Sequence, residues 1–136
     1  MSERVRVDIE DGVAIVMLNR EDKHNALDME MFEALVATGD SLKDVPSIRA
    51  VVLHGAGKNF CAGIDVGVFG SPEFAIDAAA LAPLEGKAAN RFQHAATVWR
   101  ELSVPVVCAI EGVAYGAGLQ IALGADRKST RLNSSH

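Results

Sequence analysis

The sequence predicts an α/β fold, and three observations carry that reading. Segments rich in Val, Ile and Leu recur at residues 5–18, 48–53 and 105–110, the first split by a turn and the others short enough to be single strands. Between them, apolar residues repeat at three- and four-residue intervals, the period of a helix with one buried face. No internal repeat or linker interrupts the 136 residues. Their 49% hydrophobic and 23% charged content fits a single globular domain.

The elements follow in order. Val5, Val7 and Ile9 alternate with Arg6 and Asp8, Asp11-Gly12 supplies a two-residue turn, and residues 13–18 return as a more buried strand. Residues 20–25 form a charged loop. Asp28 is placed to cap a helix on which Phe32, Leu35, Val36, Gly39 and Leu42 share one face. Pro46 lies beyond its end. Residues 48–53 read as a buried strand, since four of the six are Ile, Val or Leu, and Gly55-Ala-Gly57 and Ala62-Gly63 mark a loop. Residues 74–102 read as helix or loop-helix, with Ala88, Phe92, Ala96, Trp99 and Leu102 on one face. Pro105 opens another strand, where its missing N–H is tolerated. Residues 112–118 form a glycine-rich turn, and residues 119–124 begin a helix of small residues. The order is β-β-α-β-α-β-α, with right-handed crossovers expected.

Composition excludes several classes. A net charge of −5 argues against nucleic acid or an anionic membrane as the main partner. No apolar run approaches the roughly 20 residues of a membrane span, and the N-terminal residues lack the apolar core of a signal peptide. Two cysteines, Cys61 and Cys108, cannot form a disulfide framework, so a reducing cytoplasmic setting is expected.

The last eleven residues, from Asp126 to His136, break with the small apolar run before them; Leu132 is the only large apolar residue left. They resemble the in-frame translation of a common sequencing-library adapter, codon for codon, although Asp126 fits either origin. The expected division is therefore a partial core at residues 1–126 and a non-native polar tail at 127–136. Removing Arg127, Lys128 and Arg131 leaves ten basic residues against 18 acidic ones, so the chain reads as the N-terminal part of a longer, acidic protein. Such a piece is expected to be inactive and prone to associate, because strand 106–110 and helix 119–123 would lack the next layer.

Two strand-to-loop junctions are suited to chemistry: Phe60-Cys-Ala-Gly-Ile-Asp65 and Gly112-Val-Ala-Tyr-Gly-Ala-Gly118. Each follows a buried strand and consists largely of small residues, so each can present bare backbone N–H groups. Two such donors converging on one oxygen make an oxyanion hole. The second junction also opens a helix, whose first N–H groups are unpaired and whose dipole favours negative charge. Ordinary turn chemistry is the alternative for both.

Other candidates carry less. Cys61 lacks a basic partner that would mark a reactive thiol. His24, His54 and His94 show no metal-ligand spacing, so no metal is expected. Gly55-Ala-Gly-Lys58 lacks the frame of a P-loop, and Gly116-x-Gly118 lacks the third glycine of a dinucleotide fingerprint. Glu111 is either polar lining or a turn carboxylate.

Taken together and in order, Leu18-Asn-Arg20, Lys23-His-Asn-Ala-Leu27, Ala50-Val-Val-Leu53, Phe60-Cys-Ala-Gly-Ile-Asp65 and Pro105-Val-Val-Cys-Ala-Ile-Glu-Gly112 resemble the enoyl-CoA hydratase/isomerase (crotonase) family. The resemblance runs from about Val5 to Asp126. It implies a spiral of ββα units, cut before a C-terminal helical region, and an activity in fatty acid metabolism. It also implies an acyl-CoA substrate, with coenzyme A as part of that substrate and no separate cofactor, and a homotrimer or hexamer. By residue, it implies that the N–H groups of Ile64 and Ala117 bind the thioester oxygen. Gly116-Ala117-Gly118 departs from the family's triple glycine, but a backbone donor survives the change to alanine. Lys23, Ala26, Ala62, Gly63 and Asp65 fall in the loops that embrace CoA. Lys23 can neutralise phosphate or stand as a solvated surface lysine, and Asp65 can instead cap the following helix.

The family's hydratases carry a Glu where this chain has Gln120, whose amide cannot titrate. That replacement points to a double-bond isomerase rather than a simple hydratase. A non-catalytic acyl-CoA-binding relative, a hydratase and a thioester hydrolase of the same fold are the alternatives.

Overall fold

The computed structural model describes residues 3–65, 91–125 and 127–130. Among the described residues, a five-stranded sheet runs β1 (Val5–Glu10), β2 (Val13–Leu18), β3 (Ala50–Gly55), β4 (Val106–Ile110) and β5 (Arg127–Thr130), in that spatial order. β1 and β2 form the expected hairpin, antiparallel from Val5↔Leu18 to Glu10↔Val13. Its turn has both central residues at positive φ, 52° at Asp11 and 81° at Gly12, the type I′ geometry that matches strand twist. Every later pairing is parallel, as expected when helices carry the chain back between strands.

Among the described residues, three α-helices accompany these strands: α1 (Met29–Leu42), α2 (Arg91–Thr97) and α3 (Ala117–Gly124). Asp28 caps α1, its side chain accepting the Met31 N–H at 2.9 Å. On the covered face of the sheet, Ala14, Val16, Leu18, Val51, Leu53, Val106 and Cys108 are buried. Phe32 and Leu35 of α1, Ala95 of α2 and Ile121 and Ala122 of α3 belong to the same core. Val13, Ile15 and Val52, one residue out of phase, are half-buried on the opposite face. Period-two alternation fixes this division, because a one-residue slip would exchange the two sets.

Three expected boundaries move. Strand β3 begins at Ala50 rather than Ile48, because the Ile48 N–H is taken into a turn on the Val45 carbonyl at 3.3 Å. α2 passes into a 3₁₀ turn at Val98–Glu101: the Trp99 indole N–H donates to the Ala95 carbonyl at 3.0 Å, competing for the acceptor that continued α-helix would use. α3 begins at Ala117, two residues before the expected start. One expectation about strand 106–110 also changes. Residues 127–130 pair along β4, from Val107↔Arg127 to Ile110↔Thr130, so this part of the tail covers the strand edge expected to stand open. Ala88 and the rest of the expected 74–90 segment lie outside the described residues.

Beyond the long strands the chain makes a second, shorter set of β contacts. Leu27 bridges Ile64, and Cys61 bridges Ala114, both in parallel. Thus β2, β3 and β4 are each followed by a short extended segment that rests on the next one. The hairpin and α1 supply the first ββα turn; β4, residue 114 and α3 supply another.

Candidate functional site

The two glycine-bearing junctions meet at this shorter set of contacts. Cys61 donates its N–H to the Val113 carbonyl at 3.1 Å and accepts from Tyr115 at 3.0 Å. Leu27 likewise donates to Gly63 at 2.7 Å and accepts from Asp65 at 2.9 Å. In a parallel bridge only one partner uses both of its own backbone groups. Here those partners are Cys61 and Leu27, so the N–H of Ile64 turns away from Leu27, and no acceptor among the described residues takes it. Ala117 is the first residue of α3, where the N–H has no partner within the helix, and none among the described residues meets it.

Close approach holds the second junction against the first. A Cβ on Gly118 would stand 2.6 Å from the Cys61 carbonyl oxygen and 2.7 Å from its Cβ, so no side chain fits there. Gly63 faces Tyr115, with a virtual Cβ 3.0 Å from the Tyr115 carbonyl. Tyr115 itself is 62% exposed. Gln120 lies in the first turn of α3, which fixes its place on the helix.

The remaining expected residues divide into backbone and ion-pair roles. Ala62 donates its N–H to the His24 carbonyl at 3.0 Å, and the Ala26 carbonyl accepts from Arg20 Nη1 at 3.0 Å. Gly63 is buried. The Asp65 carboxylate pairs with Arg20 Nη1 at 2.8 Å, so this side chain braces the loop below; the residues it was expected to cap lie outside the described set. Lys23 is exposed in a 3₁₀ turn, Glu21–Lys23, beside a half-open depression of about 140 Å³ lined by Glu21, His24, Ala56, Lys58 and Asn59.

Cys61 behaves as a packed thiol. It is buried, donates Sγ–H to the Asn25 carbonyl at 3.1 Å, and burial pushes its pKa up to about 11. The neutral thiol is a poor nucleophile.

Sequence spacing missed a set of polar residues that organise the site. Asn25 is fully buried and sits at φ 59°, beside His24 at φ 53°. Two consecutive left-handed residues without glycine cost about 1 kcal/mol or more each. Asn25 offsets that cost with a complete set of bonds: its Oδ1 accepts from the Arg20 N–H at 2.8 Å, and its Nδ2 donates to the carbonyls of Ala56 at 3.0 Å and Asn59 at 2.8 Å. The clue in the sequence was an asparagine in a charged loop, a residue that tolerates left-handed backbone.

Spacing also missed a grouping at the far end of α1, where Asp40, His94 and Glu101 place ligand-type atoms within 4.8 Å of one another. Lys43 already supplies positive charge there, 2.9 Å from Asp40 and 2.5 Å from Glu101. That cluster is an ion-pair clasp between α1 and the 3₁₀ turn.

Comparison with known proteins bears on the family and the fold. A family model described as enoyl-CoA hydratase/isomerase matches residues 8–134. A 1,2-epoxyphenylacetyl-CoA isomerase of Escherichia coli is 36% identical over 128 residues, covering 93% of this chain and 47% of that protein. An (E)-benzylidenesuccinyl-CoA hydratase of Thauera aromatica is 33% identical over 133 residues, covering 96% and 48%. Among solved structures, a monofunctional enoyl-CoA isomerase from M. smegmatis superposes with a TM-score of 0.72 at 26% identity, covering 95% of this chain and 50% of that one. An enoyl-CoA hydratase from Mycobacterium tuberculosis gives 0.74 at 26% identity, covering 95% and 46%. The chain spans about half the length of the curated relatives it matches. Among the described residues no helix is long and apolar enough to cross a membrane.

Proposed function

Since the chain belongs to the enoyl-CoA hydratase/isomerase family, we propose that the protein acts on acyl-CoA thioesters by stabilising an enolate between the N–H groups of Ile64 and Ala117. The observation that carries this reading is a pair of backbone donors without acceptors among the described residues, on two junctions joined by the Cys61–Ala114 bridge. Removing a proton alpha to a thioester puts negative charge on the carbonyl oxygen. Two fixed N–H groups stabilise it, each by about 3 kcal/mol in the transition state. The dipole at the start of α3 acts in the same direction.

Proton transfer needs a titratable group, and Gln120 cannot serve. This favours double-bond isomerisation over simple hydration, with a carboxylate elsewhere moving the proton. Glutamine at this position also leaves room for a non-catalytic acyl-CoA-binding relative, in which the same two donors grip the carbonyl without turnover. Lys23 and the backbone of Ala26, Ala62 and Gly63 form the loop surface on which the CoA moiety rests in this reading, and Arg20–Asp65 keeps that surface in place. Coenzyme A belongs to the substrate and no further cofactor takes part.

Cinnamoyl-CoA tests the assignment. Its conjugated thioester absorbs further to the red as its carbonyl is polarised, so binding to the 136-residue chain is expected to shift its spectrum. Saturable binding without any shift would remove the oxyanion hole from the reading and leave only CoA recognition.

A further inference from the structure

The ladder between β3 and β4 closes with Leu53↔Cys108, and the Cys61–Ala114 bridge joins the same two stretches further on. Between these points the Phe60 N–H donates to the Glu111 carbonyl at 2.8 Å, and the Asn59 side chain also crosses from one stretch to the other. Asn59 Oδ1 accepts the Val113 N–H at 3.0 Å, and Asn59 Nδ2 lies 3.0 Å from His24 Nδ1. Its backbone carbonyl accepts Asn25 Nδ2 at 2.8 Å. Asn59 thus joins all three loops of the site: 19–27, 56–65 and 111–116.

Resting on the function proposed above, we propose that Asn59 is a positioning residue for the thioester carbonyl, its carboxamide setting the spacing of the two loops that carry the Ile64 and Ala117 donors. The chemistry fixes its orientation. A backbone N–H can bond only to the oxygen end of the amide, so the NH₂ end faces His24 and makes Nδ1 the acceptor. In the neutral ring the proton then sits on Nε2. Asn59 therefore reads two partners of opposite kind, and its amide plane is held between them. The second loop has no slack to absorb a change: a Cβ on Gly112 would collide with Asn59 Oδ1 and the Lys58 carbonyl. From Asn59 to Ile64 and from Val113 to Ala117 the chain is short and held midway by the Cys61–Ala114 bridge. A shift at the carboxamide is therefore passed on to the donors.

Calorimetric titration of the 136-residue chain with butyryl-CoA and with S-butyl-CoA, which lacks the carbonyl oxygen, isolates the carbonyl contact. Wild type is expected to prefer the thioester. Asn59→Ala is expected to lose roughly tenfold of that preference, while S-butyl-CoA affinity changes less than twofold. Asn59→Asp, which keeps an acceptor for the Val113 N–H, is expected to retain the preference. Equal losses for both ligands in Asn59→Ala, or an undiminished preference, overturn the proposal by reducing Asn59 to a structural residue. A wild type with no preference overturns the carbonyl-site reading itself, and this proposal with it. Hydrogen exchange in the wild type supplies a measurement that no variant's folding can obscure. The Val113 amide is expected to be protected although its loop lies at the surface, and exchange at the free-peptide rate overturns the assignment.

Discussion

Replacing Ala117 with proline deletes a single N–H and leaves the helix it begins intact. Ala117 is the first residue of α3, the position where proline fits best, since its φ is already helical and no hydrogen bond within the helix is lost. The residue before a proline must avoid the α region. Gly116, at φ 50° and ψ −118°, already lies in the mirror of the extended region, which is open to glycine. Because no described acceptor takes the Ala117 N–H, folding stability is expected to change by less than about 0.5 kcal/mol. The site is expected to change far more. A ground-state carbonyl loses one hydrogen bond, about 1–1.5 kcal/mol or roughly tenfold in thioester affinity. A transition state with full charge on that oxygen loses about 3 kcal/mol, or about 10²–10³ in rate. The assay pairs thermal unfolding with the cinnamoyl-CoA spectrum. Ala117→Pro should melt with wild type, bind free CoA within twofold, and lose most of the red shift. A folded variant that keeps the full shift refutes the role of Ala117. A melting point lowered by many degrees refutes the premise that its N–H is idle in the fold.

In a full-length parent enzyme carrying this site, Gln120→Glu restores a titratable group to the first turn of α3, and weak enoyl-CoA hydration is expected above the wild-type rate with a carboxylate-dependent pH profile; no gain while substrate still binds would assign Gln120 to packing. Burial opposes ionisation of Asp28, but the Arg4 and Met31 hydrogen bonds and the Arg20 charge outweigh it and hold its pKa below the ordinary carboxylate value. Its contribution is therefore present above the ordinary carboxyl range and lost as pH falls through the depressed value. Asp28→Asn should cost about 1 kcal/mol at neutral pH, and that gap should close in acid; a gap independent of pH contradicts the sign. Cys61, with its pKa pushed up to about 11, should resist alkylation at pH 8 until the chain unfolds, and rapid native-state labelling at this residue would contradict its burial. Deleting residues 127–136 uncovers the β4 edge that β5 pairs with, so sedimentation should show more self-association than in the intact chain.

The sequence made legible whatever depends on local chemistry. Alternation at Val5, Val7 and Ile9, the Asp11-Gly12 turn and the Asp28 cap each act within a few residues, and the structure places all three as expected. The boundaries that moved were decided by distant or competing groups: the Trp99 indole taking a helix carbonyl, and β4 pairing with a polar segment. Polarity was a poor guide to that last strand, because a parallel ladder needs N–H and C=O groups rather than apolar side chains.

The candidate site shows the same division more sharply. The two junctions could be singled out because small residues after a buried strand leave a trace in sequence, and the family resemblance then pointed to Ile64 and Ala117 within them. The residues that hold those donors in place left almost none. Asn25 and Asn59 are 34 positions apart, and Asn59 and Val113 are 54 apart, yet each pair shares a hydrogen bond of 2.8–3.0 Å. An asparagine in a loop has many uses, and only the fold reveals that these two satisfy buried backbone and left-handed strain at once. The arrangement has a physical logic. Bare N–H groups aimed at a ligand must be denied partners of their own, so the loops bearing them cannot be fixed through those groups. Side-chain amides, with a donor and an acceptor on one rigid plane, supply the missing constraint from behind. The proposed donors and their supports are therefore opposite in kind: the first lie beside small residues that sequence displays, the second are visible only when the chain has closed on itself.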